Sequence, residues 1–469
     1  MKAIGIDIGT TTISAVVLDA KMQQVIEART ITNGSFIEST KEWERIQDAS
    51  VIITKATKVL DELLELHPDA ASIGLTCQMH GILYLDAQGR CLSPLYTWQD
   101  ARGNLLMETE RETYAAYAER ITKRPAASGY GLVTHFYNLK NQLVPENSAA
   151  IGTIGDYLGM VLTGRKQPLM HATNAASLGF YDVKEGSFDQ EALHALGIMT
   201  ELLPEVTEEF SVLGTYRGIP VSAAIGDNQA SFLGSVGMQE DVLLVNMGTG
   251  GQISVLSHTF FEAEGIEARP FVRGRYLLAG ASLCGGRAYA ILEKFFRSYV
   301  QAFGADAVSQ YEVLEKLAEK EAVRRGVMTG CGPDSETDEQ NAAKSAETGD
   351  HMQVVTTFHG TRVQPQKRGS INQISEDNFT PEGLTYGVLD GMAQELYDMF
   401  RLIQIGTGIK AEHMIASGNG LRKNKVLRAV FQNKFGAELT LAKYEEEAAC
   451  GAAISSMYFG IMFTPYHNH

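Results

Sequence analysis

Asp7-Ile8-Gly9-Thr10-Thr11-Thr12 stands near the start of the chain, and Asn246-Met247-Gly248-Thr249-Gly250-Gly251 repeats its plan near the middle. Each phrase follows an apolar run, Ala3 to Ile6 or Val242 to Val245, and precedes another, Ile13 to Leu18 or Ile253 to Leu256. The pattern predicts two hairpins with tight Gly/Thr tips. Such a tip presents backbone N–H groups and hydroxyls with no bulky side chain in the way, which suits phosphate oxygens. Thr10, Thr11 and Thr12 are the candidate phosphate contacts of the first tip, and Gly248, Thr249 and Gly250 those of the second. One such turn is also an ordinary hairpin. Two copies point to a polyphosphate gripped from two sides, and so to phosphoryl transfer.

Two acids stand beside these turns. A carboxylate at a phosphate turn repels the ligand unless a cation lies between them, so Asp7 is the candidate for ordering a divalent metal. A turn-stabilising role is its plainer alternative. Asp227, in Ile225-Gly226-Asp227-Asn228-Gln229, falls where an apolar run gives way to a helix. A carboxylate there can take the proton of an attacking hydroxyl, and it also suits a helix N-cap. Thr76-Cys77-Gln78-Met79-His80-Gly81 and Thr97-Trp98-Gln99-Asp100-Ala101-Arg102 are polar clusters at strand ends. Gln78, Met79, His80, Trp98 and Asp100, with Asn228 next to the acid, make a set suited to a polyhydroxylated ligand. His80 and Trp98 also fit interior packing. His171-Ala172-Thr173-Asn174-Ala175-Ala176-Ser177 is a third cluster that can line the same site. Ser417-Gly418-Asn419-Gly420 reads as a strand-to-helix turn where backbone can approach a base or ribose, with Gly418, Asn419 and Gly420 as its contacts. No dinucleotide fingerprint or Walker A loop occurs in the needed context, which argues against nicotinamide and P-loop chemistry.

The elements that must hold these residues are readable in outline. A third strand is expected near Gln24 to Ile31, then a helix with Ile52, Ala56, Val59, Leu60, Leu63 and Leu64 on one face, then a buried strand at Ser72 to Thr76. In the second half, strands near Val242, Ile253, Tyr276 and Met414 alternate with helices at Arg287 to Val300 and Lys423 to Phe435. A closing helix from Glu445 to about Phe459, rich in Ala and Gly, suggests close packing. The polar stretch from Thr329 to His351 reads as a surface insert.

At 469 residues the chain is too long for one core, and a break is expected near Gly234 to Gln239. The balance of 40 basic against 56 acidic residues, net −16, argues against nucleic acid or an anionic membrane as a partner. No apolar run approaches the roughly 20 residues that cross a bilayer, and the start lacks a signal-peptide plan. Five scattered cysteines with no Cys-x-x-Cys pair indicate neither zinc nor a disulfide framework, and fit a reducing cytoplasm. Cys77 is expected to be a small buried thiol.

Taken in order, Asp7-Ile8-Gly9-Thr10-Thr11, Gln78-Met79-His80-Gly81, Gly226-Asp227-Asn228-Gln229-Ala230, Gly248-Thr249-Gly250, Phe358-His359-Gly360-Thr361-Arg362, Arg368-Gly369-Ser370 and Gly418-Asn419-Gly420 resemble the FGGY family of carbohydrate kinases. The likeness covers nearly the whole chain. It implies an α/β, two-domain actin-like ATPase (ribonuclease H-like) fold with a catalytic cleft between a sugar-binding domain, 1–236, and a nucleotide-binding domain, 237–469. It implies ATP and Mg²⁺ as cofactors, Asp227 as general base, Asp7 as the metal-positioning acid and a sugar as the small-molecule partner. A homodimer is plausible for the family. The segments Tyr96-Thr97-Trp98-Gln99-Asp100 and Asn174-Ala175-Ala176-Ser177 resemble the branch that phosphorylates sedoheptulose, so transfer to a primary hydroxyl of that ketose is the favoured expectation. Xylulose, ribulose or gluconate in its place, and a non-catalytic sugar sensor, are the alternatives. Two segments depart from the family pattern: Thr76-Cys77 replaces Ser-Gly, and Gly418-Asn419-Gly420 replaces a Gly-Gly turn.

Overall fold

A computed structural model describes residues 1–108, 110–304, 308–329 and 351–458. The polar stretch expected to be an insert lies almost wholly outside them. The described chain forms two compact units. Unit 1 comprises Met1–Met238, Arg269–Tyr276 and the chain from Tyr444 on; unit 2 comprises Gln239–Ala268 and Leu277–Lys443. The units are therefore discontinuous in sequence, whereas the expected division at 236/237 is a single cut.

Unit 1 is built on β1 (Lys2–Ile8), β2 (Thr12–Asp19), β3 (Gln24–Thr32), α1 (Ala49–Leu66) and β4 (Ala70–Cys77). After an excursion of helices and short strands that includes α2 (Ala172–Ser177) come β5 (Val212–Tyr216), β6 (Ile219–Ser222), β7 (Ile225–Gly226) and α3 (Asp227–Val236). The sheet runs β5-β6-β4-β1-β2-β3, with β7 also paired to β4. The β1–β2 and β2–β3 pairs are antiparallel, while β1, β4 and β7 run parallel.

Alternation along β1 decides what each face meets. Ile4, Ile6 and Ile8 enter one core with Ile52, Ala56, Val59, Leu60 and Leu63 of α1. Asp48 caps that helix by accepting from the amides of Ser50 and Val51. The odd-numbered residues face α7 (Glu447–Met457), which Ala3 meets at Ala453. Gly5 and its register partner Gly74 allow this approach, since a Cβ at either would land on the backbone carbonyl of Ala449 or Ala452. Gly234 of α3 and Gly451 of α7 make the same kind of close passage against each other's helix. The Ala/Gly richness of the closing helix thus answers to backbone-level packing on β1, β4 and α3.

Unit 2 repeats the plan with β8 (Val242–Met247), β9 (Gly251–Ser257), the start of β10 (Ile266–Val272), the end of β11 (Arg275–Ser282), α4 (Gly286–Ala302), β12 (His413–Ser417), α5 (Gly418–Lys423), α6 (Lys425–Phe435) and β13 (Glu438–Leu441); residues 269–276 of β10 and β11 belong to unit 1. Its sheet order is β10-β11-β9-β8-β12-β13. As in unit 1, a hairpin's first strand pairs in parallel with a later strand. The helix expected from about Lys423 to Phe435 is α6, which starts at Lys425; the short α5 precedes it and ends at Lys423, and the side chain of Asn424 between them caps α6.

Candidate active site

The first tip spans Gly9 to Thr11 between β1 and β2. It is held from behind. Asn33, fully buried, donates to the Gly9 carbonyl at 2.8 Å, and its own amide donates to the Thr11 carbonyl at 2.8 Å. Gln47 donates to the Thr10 carbonyl at 2.8 Å and accepts from Gln78 at 2.9 Å. The Thr10 hydroxyl donates to Gln78 Oε1 at 3.0 Å and accepts from Trp98 Nε1 at 3.0 Å. Its side chain is thus committed to tying the tip to Gln78 and the indole, so a ligand phosphate would meet Thr10 through its amide. Thr11 and Thr12 are exposed. Nothing in the sequence near Asn33 or Gln47 marks them as tip supports, because both act across the fold.

Asp7 and Asp227 approach one another at the carboxyl ends of parallel strands. Asp7 lies beside Thr76 in register, and Thr76 lies beside Ile225. Thr76 donates to the Ile225 carbonyl at 2.8 Å, which locks β7 and hence the start of α3. One Asp7 oxygen, Oδ1, is buried with no hydrogen-bond partner. Burial raises the Asp7 pKa well above the carboxylate range, and the charges of Asp227 and Glu446 raise it further. An unsatisfied buried carboxylate oxygen in a negative field suits a cation. Among the described residues no group of three or more His, Cys, Asp or Glu side chains could hold a metal. Mg²⁺ commonly needs only one or two carboxylates, with water and ligand phosphate completing its shell. The donor set therefore fits Mg²⁺ carried in with a nucleotide.

Asp227 is the first residue of α3, after Gly226. Desolvation lifts its pKa to about 6, opposed by a hydrogen bond from the Asn228 amide and by the Arg269 charge. Arg269 Nη1 also donates to Asn228 Oδ1 at 2.7 Å. A carboxylate at about 6 is ionised at neutral pH yet basic enough to accept a proton.

The polar clusters at the strand ends converge on this point. Met79 fills the space where a side chain at Gly226 would project. His80 adopts a left-handed backbone (φ +72°), sparsely populated for a non-glycine residue and costly to hold. Its amide donates to the Ser177 hydroxyl at 3.0 Å, its Nδ1 donates to the Ser177 carbonyl at 2.6 Å, and its ring stacks on Tyr130 at 5.1 Å. Helix α2 also secures the segment leading into Asp227: Thr173 Oγ1 accepts from the Gly226 amide at 2.9 Å, and Asn174 Nδ2 donates to the Ala224 carbonyl at 2.9 Å. Asn174 Oδ1 is buried without a partner.

Asp100 differs from its expected place as a sugar contact. Its carboxylate is 1% exposed, accepts from Arg102 Nε at 2.7 Å and Nη2 at 3.0 Å, and accepts from the Arg45 amide at 3.0 Å. A bidentate buried ion pair leaves it a scaffold for the loop that carries Trp98. Arg102 is itself 1% exposed, framed by Asn138 and the Tyr96 ring. Cys77 is fully buried between Thr153 and Gly155, so its departure from the family pattern faces the core.

In unit 2 the tip Gly248–Gly250 carries exposed Gly248 and Thr249. The first amides of α4 bind it: Gly286 N donates to Gly248 O at 2.9 Å and Arg287 N to Thr249 O at 3.0 Å. Gly250, Gly285 and Gly286 permit this backbone contact, since a Cβ on any of them would strike the facing strand or turn. Asn246, the counterpart of Asp7, donates to Ser417 Oγ at 2.9 Å. Gly418 (φ +81°) begins α5 directly against Met247, with no intervening turn, and Gly420 faces the same residue. Asn419 is exposed.

Two hairpin-centred sheets of one plan, each with a Gly/Thr tip, define a two-domain actin-like ATPase fold. Residues 2–234 match the N-terminal domain of the FGGY family of carbohydrate kinases, and residues 243–459 match its C-terminal domain. The chain belongs to that family and is an ATP-dependent sugar kinase. A sedoheptulokinase from Mus musculus is 27% identical over 499 residues, covering 96% of each chain. Among solved structures, a xylulose kinase from Rhodospirillum rubrum superposes with TM-score 0.78 at 20% identity, covering 98% of this chain and 90% of that one. A Plasmodium falciparum glycerol kinase with ADP gives TM-score 0.76 at 18% identity, over 99% and 90%. Among the described residues no helix is long and apolar enough to cross a membrane.

Proposed function

We propose that the protein transfers the γ-phosphate of ATP to a primary hydroxyl of a ketose, sedoheptulose before others, with Asp227 as general base. The observation that carries this is the pairing of Asp227, with a pKa of about 6, and Asp7, with a buried unpartnered oxygen, at the ends of parallel strands. The sugar's attacking hydroxyl gives its proton to Asp227 as the oxygen closes on phosphorus. Asp7 would hold Mg²⁺, which when bound would neutralise charge on the phosphates. The tips at Thr10–Thr12 and Gly248–Gly250 contact phosphate by their amides, and Gly418, Asn419 and Gly420 contact the adenosine. Gln78, Met79, His80, Trp98 and Asn228 contact the sugar, with Asp100 holding the Trp98 loop in place.

Sedoheptulose is favoured because the mouse and human sedoheptulokinases are similar over 96% of the chain. Xylulose kinases are similar at 28% and 29% identity over 54% and 53% of the chain, and at a lower 23% over 97% of it, and supply the alternative substrate. The proposal assigns 1–236 to the sugar and 237–469 to the nucleotide. It places the protein in the cytoplasm as a homodimer, without nucleic acid or membrane as partner.

The test is ADP release from ATP and Mg²⁺ across sedoheptulose, fructose, xylulose, ribulose, gluconate and glycerol. Selectivity for sedoheptulose is expected. Selectivity for another sugar overturns the substrate alone, and silence across the panel overturns the whole reading.

A further inference from the structure

A surface cavity of about 460 Å³ opens beside Trp98, lined by Arg45, Gln99, Asn104 and Ser128 above the Asp100 loop. A second, of about 330 Å³, adjoins it and shares Arg45 and Gln99. We propose that the first cavity binds the end of a long-chain ketose remote from the transferred hydroxyl, and that Arg45 makes the enzyme selective for sugar length. This rests on the proposed function and names what that site selects.

The argument begins at the indole. Trp98 is 48% exposed, although its Nε1 is anchored to Thr10 of the phosphate tip. One edge of the ring is thus fixed toward the transfer chemistry, and the cavity borders the same residue. In the proposed mode, in which Trp98 contacts the sugar, only a long chain would continue past the ring into the cavity.

The lining matches a polyol terminus. Asp100 is the only acid among the residues around the first cavity, and its carboxylate is committed to Arg102 and the Arg45 amide. What remains are guanidinium, amide and hydroxyl groups, which pair with hydroxyl and carbonyl oxygens, beside an aromatic face for C–H groups.

Arg45 is placed for the task. Its amide donates to Asp100, and its carbonyl accepts from the Thr97 amide at 3.1 Å and the Thr97 hydroxyl at 2.8 Å. The backbone is therefore pinned at both ends while the side chain is exposed, with one guanidinium N–H on the Glu44 carbonyl at 2.8 Å. Substitution of the side chain leaves those backbone bonds in place.

The experiment compares wild type, Arg45→Ala and Asn104→Ala on sedoheptulose, fructose, xylulose and glycerol, reading kcat and KM separately. For Arg45→Ala, kcat/KM on sedoheptulose is expected to fall about tenfold or more through KM, the loss of a charged hydrogen bond. The loss should shrink with chain length, to less than about twofold on xylulose and glycerol. Asn104→Ala should show the same order of sugars with a smaller loss. A uniform loss across sugars, or none on sedoheptulose, overturns the proposal while leaving the kinase reading intact. A wild type that prefers xylulose or glycerol overturns both the length selection and the favoured substrate.

Discussion

Replacing Asp227 by Asn should stabilise the protein while disabling it, and the size of the gain follows from the site. The carboxyl is shifted from an ordinary 3.8 to about 6, chiefly by desolvation. Because the folded pKa is the higher, the folded state binds the proton more tightly, and its advantage is lost as pH rises through about 6. At 1.36 kcal/mol per unit, the ionised form destabilises the fold by at most roughly 3 kcal/mol above that pH. Asn lacks the charge but keeps an oxygen for the Asn228 amide. The variant should therefore exceed wild type by up to roughly 3 kcal/mol at pH 7.5 and by about half that at pH 5. For a unit of this size that amounts to about 6 °C in the transition of unit 1 at pH 7.5. Scanning calorimetry of both proteins from pH 5 to 8 reads the difference. In the same samples kcat should drop by about 10²–10⁴-fold. A stability gain that is absent, or that does not grow with pH, refutes the desolvation argument. A gain with turnover intact refutes the assignment of the base.

Three further outcomes follow from particular contacts. Thr10→Val removes the bonds to Gln78 and Trp98 and should cost about 1–3 kcal/mol, raise the sugar KM and shift the emission of Trp98, one of only two tryptophans. Thr10→Ser should restore all three properties, and a Ser variant as impaired as Val would deny the hydroxyl its role. Gly74→Ala puts a methyl on the Ala452 carbonyl and should destabilise by more than about 3 kcal/mol, whereas Gly218→Ala, in open space, should cost about 1 kcal/mol by chemical denaturation. Equal costs at the two glycines would contradict the packing described for α7. Arg269→Gln withdraws a charge that lowers the Asp227 pKa, so the acid limb of kcat/KM should move above about 6, while Arg269→Lys keeps it near the wild-type position. An unmoved limb in the Gln variant would separate Arg269 from the base.

The repeated hairpins, the helix at Ile52 to Leu64 and the acid at the head of α3 were all legible in the chain. Each rests on local chemistry: alternation of apolar residues, the conformational licence of Gly at a tip, and a carboxylate where a strand meets a helix. Pattern with a period of two or 3.6 survives into the fold because it reports which face is buried. The repeat of Asp7-x-Gly-Thr as Asn246-x-Gly-Thr is of this kind, and so is the Ala/Gly composition of the closing helix.

What the tertiary structure alone decided was how polar side chains divide between ligand and scaffold. Asp100 and Trp98 sit two residues apart in one motif, yet Asp100 is buried on Arg102 while the indole stays open. Thr10 reads as a phosphate contact, but its hydroxyl is claimed by residues 68 and 88 positions away. Asn33, Gln47, Arg45 and Arg269 carry no signature, since each acts on a segment remote in sequence. The same holds for the membership of 269–276 and 444–458 in unit 1. A hydrogen bond between distant residues depends on where the backbone brings them, and no window of sequence contains that information. Residue type and spacing told which groups could do the chemistry; burial and partnership told which of them are left to do it.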